Sequence, residues 1–262
     1  MKKLLFILFS GIVCCTNAQI KDANKNTGTD SINRDFTAPD SVQHLHSKLI
    51  SYIPPTILVA YGFSSFVIKP VRNVDYYFRM RVARSDPNYN SKVDDYLQIA
   101  PIVIVYGLNL AGDEGKDRFI DRTAILALSG GILTITDGLK YVMHRVRPYG
   151  TDPLSFPSGH TGAAFLAAEF LAQEYSWKSP LYGILGYTLA TTTGIMRIYS
   201  RAHWFSDVVA GAGFGILSTK AAYALYPLIR NALTHHGKHG RSTMLMPSFD
   251  YGAPGLTFAA NL

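Results

Sequence analysis

Residues 156–175 read FPSGHTGAAFLAAEFLAQEY, a turn sequence followed by a long stretch rich in Ala, Leu and Phe. Apolar residues in the stretch 161–175 do not alternate strictly with polar ones, as they do in a half-buried strand. The stretch is also longer than most strands. It therefore predicts a helix that begins near His160, directly after Ser158 and Gly159.

Five further apolar segments have the same character. They cover residues 49–68, 96–110, 123–139, 180–198 and 206–228. Their lengths and lack of alternation predict helices, so we expect an all-α fold, a six-helix bundle. With 262 residues, 48 % of them hydrophobic and 16 % charged, the chain is no disordered tail and suffices for one catalytic domain.

Several residues interrupt these apolar segments and bear on whether the bundle crosses a membrane. Pro54 and Pro55 interrupt the first segment, and the polar residues Glu169 and Gln173 interrupt the fourth and Lys220 the sixth. A membrane span needs about 20 apolar residues, and polar groups in lipid are costly. We therefore expect a bundle that is membrane-embedded or membrane-associated, with the number of spans left open.

The N-terminus has the three parts of an export signal. Lys2 and Lys3 precede an apolar run over 4–13, and Thr16-Asn17-Ala18 forms a small-residue exit. We predict a signal peptide over 1–18, cleaved before Gln19, and hence an exported protein of the cell envelope. A short membrane anchor that is never cut is the alternative.

The rest of the chain divides into three predicted parts. Residues 19–48 are polar and form a flexible lead-in, 49–231 form the helical domain, and 232–262 form a basic tail with short strands near 256–258. The tail histidines His235, His236 and His239 are interpreted as part of a solvated basic run, so no metal site is predicted there.

Cysteine use and net charge restrict the chemistry and the partners. Cys14 and Cys15 both lie inside the predicted signal, which excludes disulfides, cysteine-ligated metals and thiol catalysis in the mature chain. The formal net charge of +7 suits anionic partners such as phosphorylated lipids or a lipid surface. An exported chain of this apolar content is not expected to bind nucleic acid, and the oligomeric state is unknown.

Three clusters of polar residues lie at the ends of apolar segments. The first is Lys140 and, after six residues, Arg147-Pro148; the second is FPSGH at 156–160; the third is Arg197, His203 and Asp207, spaced by five and three residues. Two predicted helices separate the second cluster from the third, so an antiparallel bundle returns both to one face. A loop joins the first cluster to the second, so one pocket can hold all three.

The residue types in this pocket match a phosphoryl group. Lys140, Arg147 and Arg197 supply positive charge, and the two guanidinium groups offer paired donors for phosphate oxygens. Ser158 and Gly159 precede a predicted helix, whose N-terminus also favours an anion. No metal and no cofactor is expected.

Two histidines and a carboxylate complete the predicted chemistry. If the sixth helix begins by His203, Asp207 lies on the same face and can orient the imidazole, which makes His203 a candidate nucleophile. His160 is then left to protonate the leaving oxygen. Each of these residues alone has a structural explanation as a helix-end charge or a packed polar side chain. Their combination indicates catalysis.

The three clusters resemble the signature of the type 2 phosphatidic acid phosphatase family, which shares its fold with vanadium haloperoxidases. The resemblance covers residues 96–226 and implies a metal-independent phosphatase that works through a phosphohistidine. It also implies roles for each matched residue: phosphate binding by Lys140, Arg147, Ser158, Gly159 and Arg197, general acid catalysis by His160, nucleophilic attack by His203, and support of that histidine by Asp207.

The third cluster departs from the family at one position. Met196 stands where the family has a serine before the arginine, which removes a supporting contact. Arg201 follows Ser200 but is only two residues before His203, so Arg197 is the aligned arginine.

The resemblance also bears on substrate and location. Segments 94–98 and 203–211 are similar to envelope members from Gram-negative bacteria, some of which remove a phosphate from lipid A. We expect a phosphate monoester or diphosphate on a lipid as substrate (lipid A, phosphatidate or undecaprenyl diphosphate), with the active site facing the periplasm. The alternatives are a soluble periplasmic acid phosphatase, a vanadate-dependent haloperoxidase, and an inactive lipid-binding envelope protein.

The charged segment 69–92 conflicts with a simple topology. It holds Arg72, Arg79, Arg81 and Arg84, as a cytoplasmic loop does. With the N-terminus outside, three full spans before Lys140 would place the active site in the cytoplasm. Either some segments do not span, or the bundle is soluble or only surface-attached.

Overall fold

The computed structural model describes residues 49–85, 89, 91–150, 152–233, 243–250 and 253–260. The predicted signal peptide 1–18, its cleavage site and the lead-in 19–48 lie outside the described residues. The chain divides into two compact units, and within the described part the boundary along the chain falls between Ala222 and Tyr223.

In the described residues of the first unit, all regular secondary structure is helical, and it starts with a 3-10 turn, Leu49–Tyr52. The α-helices are α1 Ile53–Ser64, α2 Lys69–Ser85, α3 Val93–Leu97, α4 Ala100–Leu110, α5 Phe119–Asp137, α6 Leu139–Met143, α7 Gly159–Tyr175, α8 Pro180–Tyr199 and α9 Phe205–Leu233. The last of these helices continues into the second unit. The all-α prediction is therefore confirmed for this unit, and each of the six predicted segments contains a helix.

Two of the predicted boundaries are wrong. The segment 69–92, predicted as a loop, is helical over Lys69–Ser85, and this helix buries Asp75 and Val82 while Arg79, Arg81 and Arg84 are exposed. The segment 96–110 is broken between Leu97 and Ala100, and Pro101 lies in the first turn of the second piece.

Three prolines, Pro54, Pro55 and Pro180, begin helices and do not end them. Pro54 and Pro55 occupy the first turn of α1, and Pro180 is the first residue of α8. A helix leaves its first N–H groups without internal partners, so proline costs little at these positions. The hydroxyl of Ser179 accepts the N–H of Leu181 at 3.3 Å and caps α8.

The core forms where α7 packs against α8 and α9. Its buried side chains include Phe165, Ala168, Tyr187, Ala190, Ala212 and Ile216. Small residues allow this close packing: a Cβ on Gly215 would lie 2.2 Å from the carbonyl oxygen of Gly162. The backbones of α7 and α9 are therefore in direct contact at these two glycines.

The polar residues that interrupt the predicted segments bind one another inside this core. Lys220 Nζ lies 2.9 Å from Glu169 Oε1, and both side chains are almost fully buried. The hydroxyl of Tyr187 donates to the same carboxylate, and so does Gln173 Nε2 at 2.7 Å. The two charges are thus paired inside the protein and do not face lipid, so they are compatible with membrane-embedded helices.

Two helical stretches of the described chain are long and apolar enough to cross a membrane, Phe119–Met143 and Phe205–Asn231. A third is possible if the bent pair α1 and α2, which meet at 87°, counts as one span. Only 28 % of the apolar stretch within Phe119–Met143 is buried by the protein, so most of this helical stretch is exposed. These helices indicate membrane association.

The second unit contains a β-hairpin. Strands β1, Thr243–Asp250, and β2, Ala253–Ala260, pair antiparallel from Thr243 opposite Ala260 to Asp250 opposite Ala253. The strand predicted near 256–258 falls within β2.

Candidate active site

The three polar clusters meet around His203. Lys140 lies in α6, Arg147 in the α6–α7 connection, and Arg197 in the last turn of α8. Burial, followed by the charges of Arg147, Arg197 and Lys140, holds the pKa of His203 well below its ordinary value. The imidazole is therefore neutral at neutral pH, and the charges of these three cations all act on it.

His203 is held in one tautomer. Its side chain is buried, and Nδ1 lies 2.7 Å from the carbonyl oxygen of Ser155. A carbonyl oxygen can only accept, so Nδ1 of the neutral ring carries the hydrogen and donates it. Nε2 is then left with its lone pair, the form that a nucleophilic histidine needs.

Asp207 does not contact His203 in the predicted way. Its Oδ2 is 4.0 Å from His203 Nδ1, beyond hydrogen-bond distance. The same oxygen accepts from Ser155 Oγ at 2.5 Å and from the Trp204 N–H at 2.9 Å. His203 lies before α9 begins at Phe205, so the four-residue spacing does not stack the two side chains on one helix face. Asp207 thus supports Ser155, whose carbonyl holds the histidine.

Arg145 is a site residue that the sequence analysis missed. Its Nη1 donates to Asp207 Oδ1 at 2.5 Å and to Ser206 Oγ at 2.8 Å, and its Nη2 donates to Asp75 Oδ2 at 2.6 Å. Asp75 also accepts the Ser206 N–H at 2.8 Å. This buried network ties α2 to the start of α9. The available signal was the position of Arg145, two residues before Arg147 in the first cluster.

Each predicted cation or acid of the site has a carboxylate partner, and none of these four partners was predicted as a site residue. The pairs are Lys140 with Asp137, Arg147 with Asp152, Arg197 with Asp94, and His160 with Asp95. In the two arginine pairs, one N–H group of each arginine has no hydrogen-bond acceptor. Arg197 Nε is buried without a hydrogen-bond partner, and Arg147 Nε lies 2.8 Å from Asp152 Oδ2 but is not aligned to bond it.

The start of α7 brings a helix N-terminus next to Lys140. Ser158 is the N-cap residue, and its N–H donates to the Asp207 carbonyl at 3.1 Å. A Cβ on Gly159 would lie 3.0 Å from Lys140 Nζ, so glycine lets the ammonium group approach the helix closely. The same Cβ would lie 3.3 Å from Asp137 Oδ2, so the carboxylate that pairs with Lys140 also lies beside this helix N-terminus, a position that favours anions.

The aligned arginine is distinguished by its surroundings. Arg197 is one of the charges that lower the pKa of His203, and its Nη1 donates to Asp94 Oδ2 at 2.5 Å. Arg201 lies in the turn between α8 and α9 with a positive φ of 54°.

Among the residues that the structure describes, no three His, Cys, Asp or Glu side chains are grouped to hold a metal ion.

Comparison with known proteins finds a family whose model matches part of this chain. Residues 122–230 match the PAP2 superfamily. The lipid A 1-phosphatase of Porphyromonas gingivalis is 36 % identical over 147 residues, which are 54 % of this chain and 32 % of that protein. The chain thus spans about a third of the length of that relative.

Two further proteins are similar. The lipid A 4'-phosphatase of Helicobacter pylori is 28 % identical over 164 residues, 57 % of this chain and 81 % of that protein. A solved structure, the first transmembrane PAP2 type phosphatidylglycerolphosphate phosphatase from Bacillus subtilis, is 17 % identical, with a TM-score of 0.39. The similarity covers 64 % of this chain and 94 % of that one.

Proposed function

We propose that the protein is a metal-independent phosphatase acting on a membrane lipid, and the match of residues 122–230 to the PAP2 superfamily supports this proposal. One observation supports the proposal above all others. His203 is buried, neutral and fixed by the Ser155 carbonyl, with three cationic side chains around it. A neutral imidazole with cationic side chains around it suits a nucleophile that receives an anionic phosphoryl group.

In the first step, Nε2 of His203 attacks phosphorus while the bond to the leaving oxygen breaks. His160 gives a proton to that oxygen. Lys140, Arg147 and Arg197 stabilise the charge on the three remaining phosphoryl oxygens. The products of this step are the dephosphorylated lipid and a phosphohistidine.

In the second step, water attacks the phosphohistidine. His160, now neutral, accepts a proton from the water while the nitrogen–phosphorus bond breaks. Inorganic phosphate leaves, and both histidines return to their starting protonation states. No step requires a metal.

The proposed substrate is a phosphate monoester or diphosphate on a lipid, such as lipid A, phosphatidate or undecaprenyl diphosphate. Support comes from the two relatives named as lipid A phosphatases and from the exposed apolar surface of Phe119–Met143. That surface disfavours a soluble acid phosphatase. With the predicted export signal, we propose that the active site faces the periplasm.

The test measures phosphate release by the purified protein in EDTA from lipid A, phosphatidate and a water-soluble monoester. His203→Asn keeps a donor for the Ser155 carbonyl but removes the nucleophile. His144→Asn, at an exposed histidine, is the matched control. We expect the parent and the control to turn over lipid and His203→Asn to be inactive. Loss of turnover in EDTA, or equal turnover by parent and His203→Asn, would overturn the proposal.

A further inference from the structure

Helix α3 brings two consecutive carboxylates to two different residues of the candidate active site. Asp94 Oδ2 lies 2.5 Å from Arg197 Nη1, and Asp95 Oδ1 lies 2.9 Å from His160 Nε2. Both acids precede the matched segment 122–230. We propose that Asp94 and Asp95 are positioning residues of the reaction, so that α3 is part of the active site. This inference rests on the proposed function.

The geometry of a helix explains how one short element serves two partners. Successive side chains on a helix point about 100° apart, so neighbours in sequence face different directions. Helix α3 packs against both α8, which holds Arg197, and α7, which holds His160. One acid therefore faces each helix.

Asp94 fixes the guanidinium group of Arg197. The Asp94 side chain is 3 % exposed, and it holds one terminal nitrogen of the arginine. Arg197 Nε is buried and has no hydrogen-bond partner in the described structure. Because the guanidinium is planar and rigid, fixing Nη1 also fixes the direction of the remaining donors. Asp94 thereby aims those donors at a phosphoryl oxygen.

Asp95 fixes the ring of His160 and decides which nitrogen is available. With Nε2 directed at the carboxylate, Nδ1 is the nitrogen left to face the leaving oxygen. As the His203 Nε2–phosphorus bond forms and the phosphorus–oxygen bond breaks, the Nδ1–H bond of His160 breaks and an O–H bond forms on the leaving group. The Asp95 and His160 side chains are 48 % and 37 % exposed, so their pair contributes little to stability.

The two acids should therefore show different kinetic signatures. Proton donation matters for a basic alkoxide leaving group and little for p-nitrophenolate, because the latter leaves without protonation. For Asp95→Asn, we expect kcat/KM to fall by about 10- to 100-fold with an alkyl phosphate and by less than about 3-fold with p-nitrophenyl phosphate. For Asp94→Asn, we expect KM to rise by a similar factor with both substrates.

A double variant separates positioning from a structural effect. If Asp95 acts through His160, then Asp95→Asn should add nothing to His160→Asn, and the double variant should match His160→Asn with either substrate. Circular dichroism and Tm of each variant test folding, which matters most for the buried Asp94.

The outcomes distinguish this inference from the proposed function. An inactive parent, or an active His203→Asn variant, would overturn the proposed function. With a parent that needs His203, equal losses on both substrates for Asp95→Asn, additive losses in the double variant, or faster turnover by Asp95→Asn would overturn the role of Asp95 alone. A change in kcat without a rise in KM for Asp94→Asn would overturn the role of Asp94.

Discussion

The carbonyl oxygen of Ser155 lies 2.7 Å from Nδ1 of His203. The hydroxyl of the same serine donates to Asp207 at 2.5 Å, so Ser155 links the carboxylate to the histidine. Arg145 joins Asp207 to Asp75 behind this link. The orientation of the proposed nucleophile thus depends on a buried network drawn from three separate parts of the chain.

Replacing Ser155 with alanine tests this link. Ser155→Ala keeps the carbonyl but removes the hydroxyl that holds Asp207, leaving one carboxylate oxygen short of a donor. We expect a loss of about 1–3 kcal/mol in the free energy of unfolding and roughly a tenfold fall in kcat/KM. Steady-state kinetics and Tm measure both. Ser64→Ala, whose hydroxyl bonds the Tyr61 carbonyl in α1, is the control and should leave kcat/KM unchanged.

The depressed pKa of His203 predicts how stability depends on pH. Burial and the neighbouring cations lower the pKa in the folded state, so the unfolded chain binds a proton that the folded chain does not. Stability from this group is present above the ordinary pKa of histidine and is lost as pH falls from there toward the folded-state pKa. Between about pH 8 and about pH 5, Tm of the parent should fall more than Tm of His203→Asn. Parallel curves would contradict the assignment.

Asp117 predicts the opposite dependence on pH. Burial and the adjacent Glu174 raise the pKa of Asp117 to about 7. Its contribution to stability is present below the ordinary pKa of an aspartate and is lost as pH rises through about 7. Asp117→Asn should exceed the parent in Tm by more at about pH 9 than at about pH 5, because the amide cannot ionise. The exposed Glu114→Gln should show no such gain.

The buried pair of Lys220 and Glu169 is predicted to stabilise the bundle only as a pair. Removing one partner leaves an unpaired buried charge, so Lys220→Met should cost about 3–5 kcal/mol in the free energy of unfolding. Lys220→Met with Glu169→Gln should recover most of that loss. Unfolding of the three proteins in detergent measures the difference, and a double variant less stable than Lys220→Met would contradict the pairing.

The sequence predicted the helices and the meeting of the three clusters for a clear physical reason. Apolar runs of this length without alternation are typical of helices, and residues at their ends come to one face when the helices return antiparallel. The resemblance to type 2 phosphatidic acid phosphatases is confirmed by the PAP2 superfamily match over 122–230. The roles of the individual site residues stay predictions.

The partners of these residues could not be predicted from spacing. Asp75 and Asp94 reach the site from segments 70 or more residues away from the arginines they bind, and no local pattern marks such a contact. The arginines of α2 are typical of a charged loop, and the sequence alone does not show that Asp75 and Val82 are buried against the rest of the protein. Taken singly, Glu169 and Lys220 each argue against a membrane helix. Their pairing depends on how α7 packs against α9, which the sequence does not show.

The central claim is that the phosphoryl group passes through His203. In a single turnover with radiolabelled lipid phosphate, quenched in alkali to preserve the nitrogen–phosphorus bond, the label should appear on the peptide that contains His203. His144→Asn should give the same labelled peptide and His203→Asn none. Label on a different residue, or phosphate release by His203→Asn at the parent's rate, would contradict the account.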